Sequence, residues 1–320
     1  MTEQNSTPNA TWEAKLIQQL ATDYLKEKKR KRRWSIFFKL AFIILFVWLV
    51  FAFYKNDQEG NEKTNKPHVA LIDIFGPIED EADTADNAAR SLREAFKDKL
   101  TVGIILRINS PGGSPVQADY VFNEITRLRK LYPKTKVYAV CTDLCASAAY
   151  YIAAAADEIY ANPASLVGSI GVLYNGFGFV DILQKVGVER RLITAGKNKG
   201  FMDPFSPLEP EQKQIMQSML DSVHTQFEDR VMQGRGTRLK VTPEIFSGLF
   251  WTGTRAKELG LIDGFGSAGS VARDVIKNSN IIDYTVKPNV LERFANRLGT
   301  SMSSELAAQL GLNAKVTGKI

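Results

Sequence analysis

Histidine and cysteine are scarce: His68 and His224 are the only histidines, and Cys141 and Cys145 the only cysteines, in 320 residues. Two cysteines make no metal site without further ligands, and no zinc-type spacing is present. There is no phosphate-cradling P-loop, so neither a metal nor a nucleotide cofactor is expected. Internal repeats are missing, which leaves one copy of any catalytic unit. Disordered or collagen-like bias is missing too, since 44% of residues are hydrophobic and 24% charged. Cys141 and Cys145, in C-T-D-L-C, read as two buried thiols, with a disulfide open to them in an oxidising compartment.

Net positive charge outside one short block is also lacking. Lys26, Lys28, Lys29, Arg30, Lys31, Arg32 and Arg33, with Glu27 among them, account for the whole net charge of +6. The rest of the chain is neutral overall, which argues against a nucleic-acid partner. The block precedes an apolar run, Trp34 to Tyr54, whose only charge is Lys39. A hydrocarbon core takes about 20 helical residues to cross, so 34–54 is expected to be a single transmembrane anchor bracketed by interfacial aromatics. A cleavable signal peptide is disfavoured by the long charged region and by Ala52-Phe53-Tyr54, which is no small-x-small site. Lys/Arg excess marks the cytoplasmic side, placing residues 1–33 inside and the large domain outside. Trp12, Leu16, Ile17, Leu20, Tyr24 and Leu25 predict an amphipathic helix over 11–26, suited to the inner leaflet, a partner or plain solvent. Polar residues 55–67 read as a linker.

From His68 onward strand-like runs at 69–75, 102–108, 136–141, 157–161 and 188–194 alternate with helical patterns. The helical patterns cover 84–97, 115–131, 147–156 and 209–233, with shorter ones near 242–248, 254–260 and 267–279. This alternation predicts an α/β fold with a largely parallel sheet, whose site lies at the carboxyl ends of strands. The catalytic domain is expected over 68–280, followed by a weakly helical tail, 281–320.

Three motifs fall where such a site would be. Asn109 to Pro115, N-S-P-G-G-S-P, follows a strand, and its Gly-Gly turn suits either an oxyanion site or an ordinary strand-to-helix turn. Ser147, in C-A-S-A-A-Y-Y, opens a helix of small residues, where a serine is either a nucleophile or an N-cap. Thr194 to Gly200, T-A-G-K-N-K-G, offers Lys197 and Lys199, each a candidate base or a solvated loop charge. Neither histidine lies in a loop with these motifs, which disfavours a Ser-His-Asp arrangement. A lysine at its reference pKa of about 10.4 is neutral in only about one copy in 2,500 at pH 7, but burial favours the neutral form and makes a lysine base feasible.

The order S-P-G-G, A-S-A-A-Y-Y-I-A, N-P-A-S-L-V-G-S-I-G-V (162–172), G-K-N-K (196–199), L-E-P-E-Q-K-Q-I-M-Q-S-M-L-D (208–221) and W-T-G-T-R-A-K-E-L-G-L-I-D (251–263) resembles the signal peptide peptidase A family of serine peptidases, over about residues 68–280. The resemblance implies a ClpP/crotonase-like fold and a Ser-Lys dyad with Ser147 as nucleophile and Lys199 as general base. It implies Gly112, Gly113 and Ala148 as oxyanion donors, Ser169 as the serine that orients the lysine, and no cofactor. The family often has Ser-Gly-Gly where this chain has Ser147-Ala148-Ala149, which keeps the N–H groups but adds methyls to the cleft. The resemblance further implies signal peptides and other membrane-derived peptides as substrates. It also implies a homo-oligomeric ring and a bacterial inner-membrane location with the domain in the periplasm. The alternatives are a crotonase-like acyl-CoA enzyme and a catalytically silent membrane scaffold.

Overall fold

The structure is a computed structural model that describes residues 9–58, 65–80 and 84–286. The chain divides into two units, one carrying the first helix and the other running Lys63–Lys287. In the first unit, α1 spans Asn9–Gln58 as one continuous helix. The predicted amphipathic segment, the basic block and the apolar run all belong to it. Leu16, Ile17, Leu20, Tyr24 and Leu25 are exposed on it, as are the apolar residues up to Trp48. Among the described residues no helix is long and apolar enough to cross a membrane. The part of the Trp34–Tyr54 run beyond Trp48 lies outside the described side chains.

In the second unit, β1 (His68–Phe75), α2 (Thr84–Lys97), β2 (Thr101–Ser110), α3 (Pro115–Leu131) and β3 (Val137–Ala146) alternate as their sequence patterns require. Then come α4 (Ala148–Ala153), β4 (Glu158–Ala161), β5 (Leu166–Gly168), α5 (Val180–Lys185) and α6 (Pro210–Arg235). The order closes with β6 (Phe250–Thr252), α7 (Gly253–Glu258), β7 (Gly264–Phe265) and β8 (Ile281–Asp283). The sheet order is β6-β5-β3-β2-β1-β8, with β4 paired to β3 and β7 to β4. Every pairing is parallel except β5 with β6. This is a mixed α/β fold with a mostly parallel sheet.

A parallel sheet is covered on both faces, so its central strand is apolar without alternation. Ile104, Ile105, Leu106 and Ile108 of β2 are all wholly buried. Each such burial is worth about 1.5–3 kcal/mol before the cost of ordering. Helix α2 lays Ala85, Ala88, Ala89, Leu92, Ala95 and Phe96 on the core, a spacing of three and four that keeps them on one face. Helix α3 starts where Ser114 Oγ accepts the Gln117 N–H and Pro115 takes the first turn.

Sequence and structure part company at the short and irregular elements. Residues 188–194 form no strand; they are irregular and exposed throughout, with no neighbouring edge to pair their backbone. Ile281–Asp283, read from the sequence as the start of the tail, pairs with Val69–Leu71 of β1. The strand predicted at 136–141 runs on to Ala146, because three residues, Thr142–Leu144, bulge out and let pairing resume.

Candidate active site

The bulge in β3 sets up the site. Cys141 pairs with Ile108 and Cys145 with Ser110, so four steps along β3 match two along β2. The looped-out residues are pinned: Leu144 N–H donates to Asn109 Oδ1 (3.1 Å), Thr142 Oγ1 to the Ile108 carbonyl (3.1 Å), and Ser165 Oγ to the Thr142 carbonyl. Cys141 and Cys145 thereby face the same core as free thiols. Burial, and then the Cys141 thiol beside it, push the Cys145 thiol well up. It stays protonated and is no nucleophile.

Two residues on, Ser147 sits at φ 53 and ψ −124, a backbone that non-glycine residues rarely adopt. It is the residue before α4, yet its side chain makes no capping bond, so the N-cap alternative is set aside. Its N–H donates to the Gly168 carbonyl at 2.8 Å. Helix α4 behind it is wholly buried, with Tyr150 Oη donating to the Leu261 carbonyl (2.7 Å) and Tyr151 Oη to Asp119 (2.8 Å). An outlier backbone held by such surroundings is a feature of functional sites.

The Gly-Gly turn closes over this serine. Gly112 stands at φ 99, and a Cβ there would lie 2.7 Å from both the Ala146 carbonyl and Ser147 Cβ; only glycine allows this approach. Ile78 N–H donates to the Gly112 carbonyl (2.9 Å) and Ser114 N–H to the Ile78 carbonyl (2.7 Å), fixing the turn from the other side. Gly112 N–H donates to Ser110 Oγ at 3.1 Å, so in this structure it does not point unpaired at a cleft. Among the described residues the N–H groups of Gly113 and Ala148 have no acceptor.

Ser169 follows on the next rung. Strands β3 and β5 pair as Ala146↔Gly168, so Ser147 and Ser169 each stand one residue past the ladder's end. Ser169 is also left-handed, φ 52, and donates its N–H to the Leu249 carbonyl at 2.8 Å. His224, on α6, donates Nε2–H to the carbonyl of Ile170 at 3.2 Å. His68 is buried and meets Tyr284 Oη and the Lys66 carbonyl, each at 3.0 Å. Neither histidine bonds to Ser147.

Lys199 is not brought to this cluster within the chain. It lies in an exposed turn, its N–H donating to the Gly196 carbonyl at 3.1 Å, and its ammonium has no ion pair among the described residues. Lys197 is paired with Glu211 at 2.9 Å. The bonds that Ser110 and His224 make around the serine were not legible in the sequence, although Ser110 opens the S-P-G-G motif itself.

Residues 129–281 match the family described as Peptidase family S49. A putative protease, slr0021, of Synechocystis is 32% identical over 204 residues, covering 64% of this chain and 72% of that protein. A putative signal peptide peptidase SppA of Enterococcus faecium is 28% identical over 236 residues, covering 73% of this chain and 67% of the relative. A Brucella abortus protein named as Na(+)/H(+) antiporter NhaA is 46% identical over 187 residues, 58% of this chain. The chain spans 25% of the length of that relative. The chain belongs to peptidase family S49 and groups with its SppA-type members.

Proposed function

We propose that the chain is a serine endopeptidase in which Ser147 attacks and Lys199 of a neighbouring copy is the base, on a ClpP/crotonase-like fold. The observation that carries this is the strained Ser147 backbone packed on Gly112, with the unpaired N–H groups of Gly113 and Ala148 beside it. Uncharged Lys199 takes the Ser147 Oγ proton as Oγ bonds to a peptide carbonyl carbon. The carbonyl oxygen gains charge and is met by the N–H groups of Gly113 and Ala148. Gly112 serves the turn rather than the oxyanion. Lys199 then passes its proton to the leaving amine, and water frees the acyl-enzyme. Ser169 accepts from the lysine and aims its lone pair.

Exposed apolar residues in the stretch that leads to the lysine support closure of the site between copies: Leu173, Phe177, Ile182, Val186 and Ile193 all face solvent. A large exposed apolar patch marks an interaction surface, and burial there favours the uncharged amine a base needs. Such a head-to-tail contact closes as a ring. The substrate class, signal peptides, follows the name of the Enterococcus relative, and other membrane-derived peptides share their apolar character. It fits an inner-membrane anchor at 34–54 with the domain in the periplasm. An alkaline phosphatase fused after Tyr54 should be active outside, and one fused before Trp34 should not.

Labelling with a serine-directed phosphonate tests the core of the reading. Ser147 of the wild type should be modified and should cleave an apolar signal peptide, and Ser147→Ala should do neither. An intact, unreactive protein would identify a silent scaffold instead. Mixing Ser147→Ala with Lys199→Ala under subunit exchange should restore partial activity. No return, with exchange confirmed by labelled subunits, would place both residues of the dyad in one chain.

A further inference from the structure

Trp251 is the one tryptophan of the unit Lys63–Lys287; the others are Trp12, Trp34 and Trp48. It is the middle residue of β6 and pairs with Val167 of β5. Its ring packs against Gly168: a Cβ there would be 2.9 Å from Trp251 Cδ1 and 3.6 Å from Nε1. Gly168 is at φ 107, and its carbonyl accepts the Ser147 N–H. The next residue, Ser169, hangs on the carbonyl of Leu249, two positions before the tryptophan. The ring thus touches the one residue through which β5 holds the nucleophile.

The indole N–H clarifies what the ring is there for. Nε1 is buried and has no acceptor among the described residues. A position selected for hydrogen bonding would not leave a buried donor unmet, so the site uses the ring's flat apolar surface. Glycine turns freely between positive and negative φ, and nothing in its own side chain keeps Gly168 at φ 107. Without the ring, only its pairing with Ala146 and Phe250 at the strand end holds its carbonyl in place. Ser147, with that bond lost, relaxes toward the negative φ that serine prefers.

We propose that Trp251 is a positioning residue for the nucleophile: its ring clamps Gly168, whose carbonyl holds Ser147 in the left-handed backbone that presents Oγ. The proposal rests on the reading of Ser147 as nucleophile. It separates two quantities that a merely structural residue would move together. The covalent step depends on the aim of Oγ, whereas reversible binding does not.

The experiment uses the full-length protein and a peptidyl phosphonate, reading the saturating rate of Ser147 modification and the half-saturating concentration separately. Trp251→Ala should slow the covalent step about tenfold or more and change half-saturation by less than about threefold, and Trp251→Phe should stay within about threefold in both. If Trp251→Ala does not fold, Trp251→Leu, which keeps an apolar side chain without the flat ring, should behave as described for alanine. In a chain with Trp12, Trp34 and Trp48 changed to Phe, modification of Ser147 should shift the emission of Trp251. A folded Trp251→Ala or Trp251→Leu that reacts at the wild-type rate overturns the proposal, as does a Trp251→Phe as slow as the alanine. A wild type that is never modified at Ser147 removes the nucleophile reading itself, and this proposal with it.

Discussion

From Cys145 to Ala156 every residue except Ser147 is buried, whereas from residue 173 to 199 none is. The two stretches carry the two residues of the proposed dyad. The serine stretch is fixed by a sheet end, a buried helix and a Gly-Gly turn, and needs nothing from outside to hold its shape. The lysine stretch has one short helix, α5, with no buried residue, and displays Ile193 at 95% exposure. One folded unit therefore holds a buried, rigid stretch at the serine and an exposed one at the lysine whose apolar groups face water. That asymmetry is what a site completed by a second copy looks like from a single chain.

The largest effect should come from the exposed half. Lys199→Ala should lower peptide hydrolysis by about a thousandfold or more, and Lys199→Arg equally, because a guanidinium stays protonated. Lys197→Ala, which loses only an exposed pair with Glu211, should stay within about threefold in the same assay. Were Lys197 the essential one, the contrast between a free and a paired lysine would be wrong.

Arg235→Ala probes what makes the serine half rigid. Arg235 is almost wholly buried and forks onto Asp263 at 2.7 and 2.9 Å while donating to the Gly260 carbonyl. Burial pushes the Asp263 carboxyl up, but hydrogen bonding and charge from Arg235 outweigh it and hold it below its ordinary value. Loss of Arg235 leaves Asp263 with the more exposed Arg238 at 3.2 Å as its remaining ion pair, so unfolding free energy should fall by about 3 kcal/mol, read in urea.

Gly112→Ala tests the turn without touching the core. The methyl has no room against Ala146 and Ser147 and the backbone is at φ 99, so activity should drop about a hundredfold and the melting temperature should fall with it. Ile193→Asp then sharpens the other side of the contrast. It should change unfolding free energy by no more than about 0.5 kcal/mol, yet lower both sedimentation-measured assembly and activity. Unchanged assembly would leave the exposed segment without its proposed partner.

The smallest effect concerns pH. Glu124 is held down to about 2 by Arg127, with Arg93 adding to it against the cost of burial. A depressed carboxyl contributes stability above its ordinary value of 4.5 and loses it as pH falls toward about 2. The wild type should therefore lose more melting temperature between pH 6 and pH 3 than Glu124→Gln.

How far the sequence could be read depended on length of pattern. Strands β1 to β3 and helices α2 and α3 repeat their periods long enough to be placed closely. Strands β5, β6 and β8 have three residues each, too few for any period, and they exist only because a neighbouring ladder captures them. The run V-E-R-R-L-I-T had strand-like residues but no such neighbour. At the site, Ser147 and the Gly-Gly turn were legible from their place after strands. The bulge that aims them was not, because Thr142–Leu144 differ in nothing local from ordinary strand residues.

That bulge also says where the chain can change length. Residues Thr142–Leu144 sit outside the pairing on their β2 side, and Asp143 is open to solvent. One more residue there lengthens a loop; one more after Cys145 moves Ser147 off its rung beside Ser169. The looped-out residues take up the mismatch of β3 with β2, so the spacing of the two serines is set by the β3–β5 ladder and not by the register with β2.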